Sequence, residues 1–154
     1  IASSKTDQTG HRLRHEVVGV IRQEGLDVAV MGAGYAAFIH KHEGLEPFRY
    51  SAVIENISEQ SYFTEKLIDC CLCRTVPIYW GAPDVGQWFD PAGMIICRDL
   101  DDICDALRHA SPEDYAARAP AIEANRRIAL HMARTEARAA QVLLSDEGEV
   151  PPFA

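Results

Sequence analysis

The feature that most constrains the fold is residues 50–81, where two apolar segments flank a helix-like pattern. The first segment, residues 50–55, runs into a Glu-Asn pair, and a short polar loop leads to residues 62–73, whose spacing predicts a helix. The second segment, residues 76–80, stops at a glycine. Strand, loop, helix and strand in this order predict a unit of a parallel sheet. Because ligands bind at the carboxyl edge of such sheets, the polar residues between the first strand and the helix predict a site there.

The rest of the chain continues this alternation of strands and helices. Thr9 and Gly25 fit the cap and the stop of one predicted helix. Further strands are predicted at residues 1–4, 27–31 and 94–97, and further helices at residues 11–24, 85–89, 99–110, after Ser111, and at 121–144. Together these elements predict an α/β fold, a doubly wound parallel sheet of about five strands with helices on both faces.

The length of 154 residues suits one domain, which we place at residues 1–144, followed by a flexible tail at residues 145–154. The chain begins at Ile1 within an apolar run, and we interpret it as a fragment of a longer protein. No apolar run approaches the roughly 18 residues that a membrane span needs. We therefore expect no transmembrane segment in this fragment.

The net charge of −8 argues against non-specific binding of nucleic acid. The charge is unevenly distributed, however, because residues 1–22 carry four basic side chains against two acidic ones. That end of the protein is therefore suited to an anionic ligand. The five cysteines are an odd number without a zinc-like spacing, which favours free, buried thiols, a reducing compartment and a cytoplasmic location, with membrane association of the parent protein left open.

The start of the helix at residues 62–73 is a candidate phosphate site. Tyr62, Glu65 and Lys66 are spaced to share one face of its first turn, next to free backbone N–H groups. Lys66 suits a second anionic oxygen, whereas Glu65 suits a vicinal diol on a ribose or sugar. The alternative is an exposed salt bridge beside a surface tyrosine. Because a lysine in the first turn of a helix is expected to be exposed, we expect Lys66 to contribute little to stability.

Other polar residues lie near the same edge or in neighbouring loops. Glu55 and Asn56 close an apolar strand, where a carboxylate needs partners or solvent, and the alternative is a hydrogen bond that fixes the loop. Arg12 and Arg14 lie near the start of the helix after the first strand, where an anionic ligand or ordinary solvation explains them equally well.

Three further features are weaker. Gly32 belongs to a GxG sequence without the third glycine of a dinucleotide fingerprint. Trp80 suits packing or the wall of a pocket. Residues 40–43 (HKHE) lack a third metal ligand at a suitable spacing, so a solvated loop is expected and no metal site is predicted.

Taken together, these motifs resemble the donor-binding half of the alpha-1,3/1,4-fucosyltransferases, glycosyltransferase family 10. In that family a strand ends in Glu-Asn, a Tyr/Phe-x-Thr-Glu-Lys helix start follows, and the next strand reads roughly Thr-(Val/Ile)-Pro-(Ile/Val) before a glycine. The matching residues here are 55–56, 62–66, 75–78 and Gly81. Residues 79–81 (YWG) are similar to the bacterial members, and the resemblance covers about residues 1–120.

The resemblance implies one Rossmann-like lobe of a two-lobed GT-B enzyme that binds GDP-fucose. By this analogy Arg14 and Lys66 hold the diphosphate, with Arg12 as the competing arginine, and Asn56 and Tyr62 assist. The charge that develops on the leaving diphosphate would be stabilised by the two cations.

The same resemblance implies that Glu65 binds ribose or fucose hydroxyls, and that Glu55 either orders the loop or approaches the sugar. The reaction would be an inverting fucose transfer to a glycan hydroxyl, with no cofactor and no metal required. The general base and most acceptor contacts belong in the family to the N-terminal lobe, so no catalytic residue is expected here and the isolated chain should bind donor without turnover. The alternatives are a transferase for another sugar nucleotide and a non-catalytic nucleotide-binding or interaction module.

Overall fold

The computed structural model describes residues 5–32, 35–36 and 40–134. This part of the chain contains three strands and five α-helices. The strands are β1 (Tyr50–Ile54), β2 (Val76–Trp80) and β3 (Ile95–Ile96). The helices are α1 (Thr9–Glu24), α2 (Glu65–Leu72), α3 (Leu100–His109), α4 (Pro112–Ala117) and α5 (Ala119–Met132), with short 3₁₀ turns at Lys41–Gly44, Val85–Gln87 and Pro91–Gly93.

The three strands form a parallel sheet in the order β1-β2-β3. β1 pairs with β2 from Tyr50 opposite Val76 to Ile54 opposite Trp80. All five residues of β2 are buried, as expected for a central strand covered on both faces. The α/β class and the parallel pairing predicted from residues 50–81 are therefore confirmed.

Helices cover both faces of this sheet. Successive side chains of a strand point to opposite faces, so they enter two different cores. On one face Val53 and Tyr79 pack with Leu67 of α2 and Ala129 of α5. On the other face the strand residues pack against α1 and α3, in a second core formed by Leu13, Val17, Ile21, Ile54, Ile78, Trp80, Cys97 and Ile103. The two cores hold the carboxyl ends of β1 and β2 in a fixed relation to α1 and α2.

The strand predicted at residues 27–31 is not a strand in the structure. Val28 and Val30 pack against the core beside α1, and exposed residues alternate with them. Within the described part of the chain, however, this backbone does not continue the sheet: the Val28 N–H donates to the carbonyl of Leu26 at 2.8 Å, and Met31 forms an isolated bridge with Ala36. The predicted strand at residues 1–4 lies outside the described residues.

The helix before Gly25 begins at Thr9 and Gln8 is its cap, so the predicted cap at Thr9 is wrong. Two other predicted helices differ from the structure by three residues or more at one end. The helix predicted from residue 62 begins at Glu65, because Thr64 is extended and caps it. Tyr62 therefore precedes the helix and does not share its first turn. The helix predicted at residues 121–144 begins at Ala119 and ends at Met132, and residues 135–154, including the predicted tail, lie outside the described part. Gly25 ends α1 with a φ of 64°, which confirms the predicted stop.

The five cysteines are free, and four of them are buried, with Cys73 half-buried. Burial raises the pKa of Cys71 and Cys97 to about 12, so both thiols stay protonated at neutral pH. This confirms the prediction of free thiols that pack as apolar groups. Within the described residues, no helix combines the length and the apolar character needed to cross a membrane.

Candidate functional site

The site is built where β1 ends and the first turn of α1 approaches it. The Gly10 N–H donates to the carbonyl of Asn56 at 2.9 Å. A Cβ at Gly10 would lie 1.7 Å from the carbonyl oxygen of Glu55, so this close approach requires a glycine. The result is that α1 begins directly against the Glu-Asn pair at the carboxyl edge of the sheet.

The Glu55 side chain is fully buried at this edge, with 0% exposure. Its Oε1 accepts a hydrogen bond from the Thr64 backbone N–H at 2.9 Å. Its Oε2 accepts from the Thr64 hydroxyl at 2.8 Å and from Lys66 Nζ at 3.2 Å. A Cβ at Gly81 would lie 2.7 Å from Glu55 Cγ, so the end of β2 packs directly on this side chain. The carboxylate thus has both the charge partner and the hydrogen bonds that a buried anion needs.

Lys66 joins this carboxylate to the start of α2. Its Nζ donates to the Thr64 hydroxyl at 2.8 Å and lies 3.8 Å from Glu65 Oε1. The Lys66 side chain is 31% exposed, whereas Glu65 is 58% exposed. An ammonium group has three donors. Lys66 is therefore held in place by protein oxygens while part of it still faces solvent at the helix start.

Arg14 reaches the same edge from α1 and is also buried. Its Nε donates to the carbonyl of Ile54 at 3.0 Å, Nη2 donates to the same carbonyl, and Nη2 donates to Asn56 Oδ1 at 2.9 Å. Burial lowers the pKa of Arg14, although an arginine stays charged at neutral pH. The guanidinium therefore brings a fixed positive charge to the end of β1.

The bond from Arg14 also sets the orientation of the Asn56 side chain. An amide group has a carbonyl oxygen that accepts and an NH₂ group that donates. Because Arg14 occupies Oδ1 of Asn56, the two N–H donors of that amide face away from the guanidinium. The edge thus presents an amide donor beside a cation, a combination suited to oxyanions.

Two more predicted residues complete the cluster. Burial is the main reason that the pKa of Arg14 is lowered, and the nearby acids Glu55 and Glu65, with the Tyr62 hydroxyl, act in the opposite direction. Hydrogen bonds and ion pairs at this edge involve five of the predicted site residues, Arg14, Glu55, Asn56, Glu65 and Lys66, and Tyr62 lies two residues before the cap of α2.

The loop at residues 57–61 is tied to the segment after β2. The Ser58 hydroxyl donates to the Gly81 carbonyl at 2.7 Å. The Ser61 N–H and hydroxyl donate to the Asp84 carboxylate at 2.7 and 3.0 Å, and the backbone bond is the largest cause of the lowered pKa of Asp84. Ser61 has a φ of 57°. The loop is therefore short and closed by specific bonds, and Tyr62 follows directly from it.

The weaker candidates lie apart from this cluster. Arg12 is exposed, and its guanidinium lies 3.4 Å from the carbonyls of Thr6 and Asp7 in the loop before α1. Trp80 is buried in the core between the sheet and the α1 and α3 helices, with its indole N–H bonded to the Arg98 carbonyl at 3.0 Å.

Gly32 lies in a turn after residues 27–31, with a φ of 128°, and its N–H donates to the Ala36 carbonyl at 2.9 Å. The rings of His40 and His42 stack with centroids 5.5 Å apart. Among the residues described, no group of three His, Cys, Asp or Glu side chains could hold a metal ion.

Sequence reasoning did not single out Thr64, Tyr79 and Gly10, whose contacts shape the site. Thr64 is the cap of α2 and bonds both charged groups, and a threonine directly before Glu-Lys at a helix start was the signal that could have identified it. The Tyr79 hydroxyl accepts the Ala82 N–H at 3.0 Å, and burial raises the pKa of Tyr79. Nothing local in the sequence indicates the contact of Gly10, because its partner lies 46 residues away.

Two proteins of known function are similar to part of this chain. An alpha-(1,3)-fucosyltransferase FucT of Helicobacter pylori is 34% identical over 68 residues, which is 44% of this chain and 14% of that protein. An alpha-(1,4)-fucosyltransferase of Arabidopsis thaliana is 36% identical over 56 residues, which is 36% of this chain and 14% of that protein. The similar region is therefore a small part of each relative. No family model matches this chain.

Solved structures show the same fold. A crystal structure of an alpha1,3-fucosyltransferase with GDP-fucose superposes with a TM-score of 0.57 and 22% identity, over 73% of this chain and 36% of that one. A structure of an alpha1,3-fucosyltransferase with GDP gives a TM-score of 0.58 and 25% identity, over 76% of this chain and 36% of that one. This chain therefore spans about a third of the length of these neighbours.

Proposed function

We propose that this chain is the GDP-fucose-binding lobe of an inverting fucosyltransferase of glycosyltransferase family 10, similar to its bacterial members. The observation that carries the proposal is the pair of cations at one sheet edge: Arg14 at the end of β1 and Lys66 at the start of α2. The relatives named as fucosyltransferases, and the neighbours crystallised with GDP-fucose and GDP, support the choice of donor.

The two cations would bind the diphosphate of the donor and stabilise its growing charge as the bond to the sugar breaks. The Asn56 amide, turned by Arg14, would add hydrogen bonds to a phosphate oxygen. Charge that is stabilised more strongly in the transition state than in the bound donor accelerates the reaction. On this proposal Arg14 and Lys66 neutralise the charge of the diphosphate. Glu65, the exposed acid of the cluster, would bind a hydroxyl pair of the ribose or the sugar.

The general base that deprotonates the acceptor hydroxyl would lie in a second, N-terminal lobe of a GT-B enzyme, which would also bind the glycan acceptor. This lobe arrangement, and a sheet extended to about five strands, are part of the proposal. The free buried thiols support a reducing, cytoplasmic setting. We therefore expect this chain alone to bind the donor without turning it over.

Isothermal titration calorimetry with GDP, GDP-fucose, GDP-mannose and UDP tests the proposal. We expect measurable binding of GDP and GDP-fucose and much weaker binding of UDP. Arg14→Gln and Lys66→Met should each weaken GDP binding, whereas Arg127→Gln removes an exposed cation of α5 and should have no effect. Equal affinity for UDP and GDP, or equal loss in the Arg127 control, would contradict the donor assignment.

A transferase for another sugar nucleotide is the second candidate. Arg14 and Lys66 are suited to a diphosphate, which is common to all such donors, so the cations alone do not select the sugar. Tighter binding of GDP-mannose than of GDP-fucose in the same titration would favour this candidate.

A further inference from the structure

We propose that Glu55 is a positioning residue and not a ligand of the sugar: its buried carboxylate, together with the Thr64 hydroxyl, fixes Lys66 Nζ before a nucleotide arrives. This inference rests on the proposed function, and it concerns how the phosphate cation is held at the site.

The burial of Glu55 is the first argument. Its carboxylate has 0% exposure, and both oxygens already accept bonds from Thr64 or Lys66. The end of β2 closes the remaining side, because Gly81 lies against the Cγ atom. A sugar hydroxyl would have to displace these partners to reach the carboxylate, which would leave buried polar groups without bonds. Contact with the sugar is therefore disfavoured, whereas contact with Lys66 is already made.

The role of the Thr64 hydroxyl is the second argument. It donates to Glu55 Oε2 at 2.8 Å and accepts from Lys66 Nζ at 2.8 Å, so it lies between the two charges. It also accepts the Lys66 backbone N–H, at a longer 3.4 Å. Both the side chain and the main chain of Lys66 are thus held by one threonine. Since the ammonium has a third donor, a phosphate oxygen can be bound without breaking either contact.

A preordered cation binds its ligand more tightly, because the cost of ordering a long lysine side chain has been met during folding. A valine at position 64 keeps the shape of threonine but removes the hydroxyl. Thr64→Val should therefore weaken GDP and GDP-fucose by the same factor, about threefold to tenfold, as for one lost hydrogen bond. Thr64→Ser keeps the hydroxyl, and its affinities for both ligands should lie within about twofold of those of the unsubstituted chain.

A buried threonine far from the site provides the matched control. The Thr75 hydroxyl donates to the Leu45 carbonyl at 2.9 Å at the opposite end of the sheet. Thr75→Val should lower stability in the same way as Thr64→Val but leave the GDP affinity unchanged. Urea unfolding of each variant establishes that it is folded under the conditions of the titration.

Glu55→Gln separates positioning from sugar contact. If Glu55 only positions Lys66, this variant should change the affinities for GDP and GDP-fucose by the same factor, because its effect is transmitted to the phosphates. A loss confined to GDP-fucose would show that Glu55 binds the sugar and would overturn the inference. An unchanged GDP affinity in Thr64→Val would overturn it as well, and if that variant does not fold, the ratio of affinities in Glu55→Gln decides alone. If the unsubstituted chain binds neither GDP nor GDP-fucose, the proposed function itself is refuted.

Discussion

Replacing Lys66 by methionine should destabilise the protein, because it leaves a buried carboxylate without its charge partner. The sequence alone predicts almost no loss of stability, since a lysine in the first turn of a helix is expected to be exposed and to contribute little to stability. The structure instead places its Nζ 3.2 Å from an oxygen of Glu55, whose side chain has 0% exposure. Lys66→Met therefore leaves the buried Glu55 carboxylate without its charge partner and without access to water.

The magnitude follows from three features of the pair. Removing one partner of a fully buried ion pair costs about 3–5 kcal/mol. Lys66 is 31% exposed, so its attraction to Glu55 is partly screened by solvent. Glu55 also retains two hydrogen bonds from Thr64 after the change. We therefore expect the free energy of unfolding to fall by about 1.5–3 kcal/mol.

Urea unfolding at pH 7, followed by tryptophan fluorescence, measures this loss. A double-mutant cycle with Glu55→Gln isolates the pair, since Lys66→Met should cost less in the Glu55→Gln background, where no buried charge is left alone. Arg74→Met is the control, because the Arg74–Glu123 pair has a similar distance of 3.0 Å but is exposed on both sides. The reasoning is refuted if Lys66→Met costs less than about 0.5 kcal/mol, the range typical of surface substitutions.

Three further predictions concern the site and the core. Asn56→Asp keeps the oxygen that accepts from Arg14 but loses the amide donors, so the fold should remain stable while calorimetry shows GDP affinity reduced by about tenfold or more. Gly10→Ala should lower the free energy of unfolding by about 3 kcal/mol, because its Cβ would lie 1.7 Å from the Glu55 carbonyl oxygen. The control is Gly19→Ala in the same helix, whose Cβ would meet no atom within 4 Å. In the same urea experiment Gly19→Ala should raise the free energy of unfolding by about 0.5–1 kcal/mol. Burial raises the pKa of all five thiols, so an aromatic disulfide reagent should react slowly with the native protein. After denaturation it should react with five thiols per chain, and a count of fewer than five thiols would contradict the structure with five free cysteines.

The parts of the fold that the sequence predicts correctly are those set by local pattern. β2 is a short apolar run between a helix and a glycine, and its bounds in the structure are those predicted. Residues 27–31 show the limit of such reasoning. Their alternation of apolar and exposed residues is that of a strand, yet among the described residues they pair with no strand of the sheet. Alternation reports which side chains face the core, whereas strand pairing depends on a neighbouring backbone that the pattern does not identify.

The site shows the same division between residue identity and residue partners. Its location could be predicted because parallel strands place their carboxyl ends at one edge, and this rule needs only the order of elements. The partners could not be predicted, because Arg14 bonds a carbonyl 40 residues away and Glu55 takes its bonds from a cap residue and a lysine across the loop. Those contacts change the interpretation of the charges: two cations in the sequence suggested a free positive site, whereas in the structure both are already held by protein oxygens. A ligand that binds here must therefore use the donors that these contacts leave, on the Asn56 amide, on Lys66 and on Nη1 of Arg14. Variants that remove one of these donors and leave the fold stable are the most informative ones to measure.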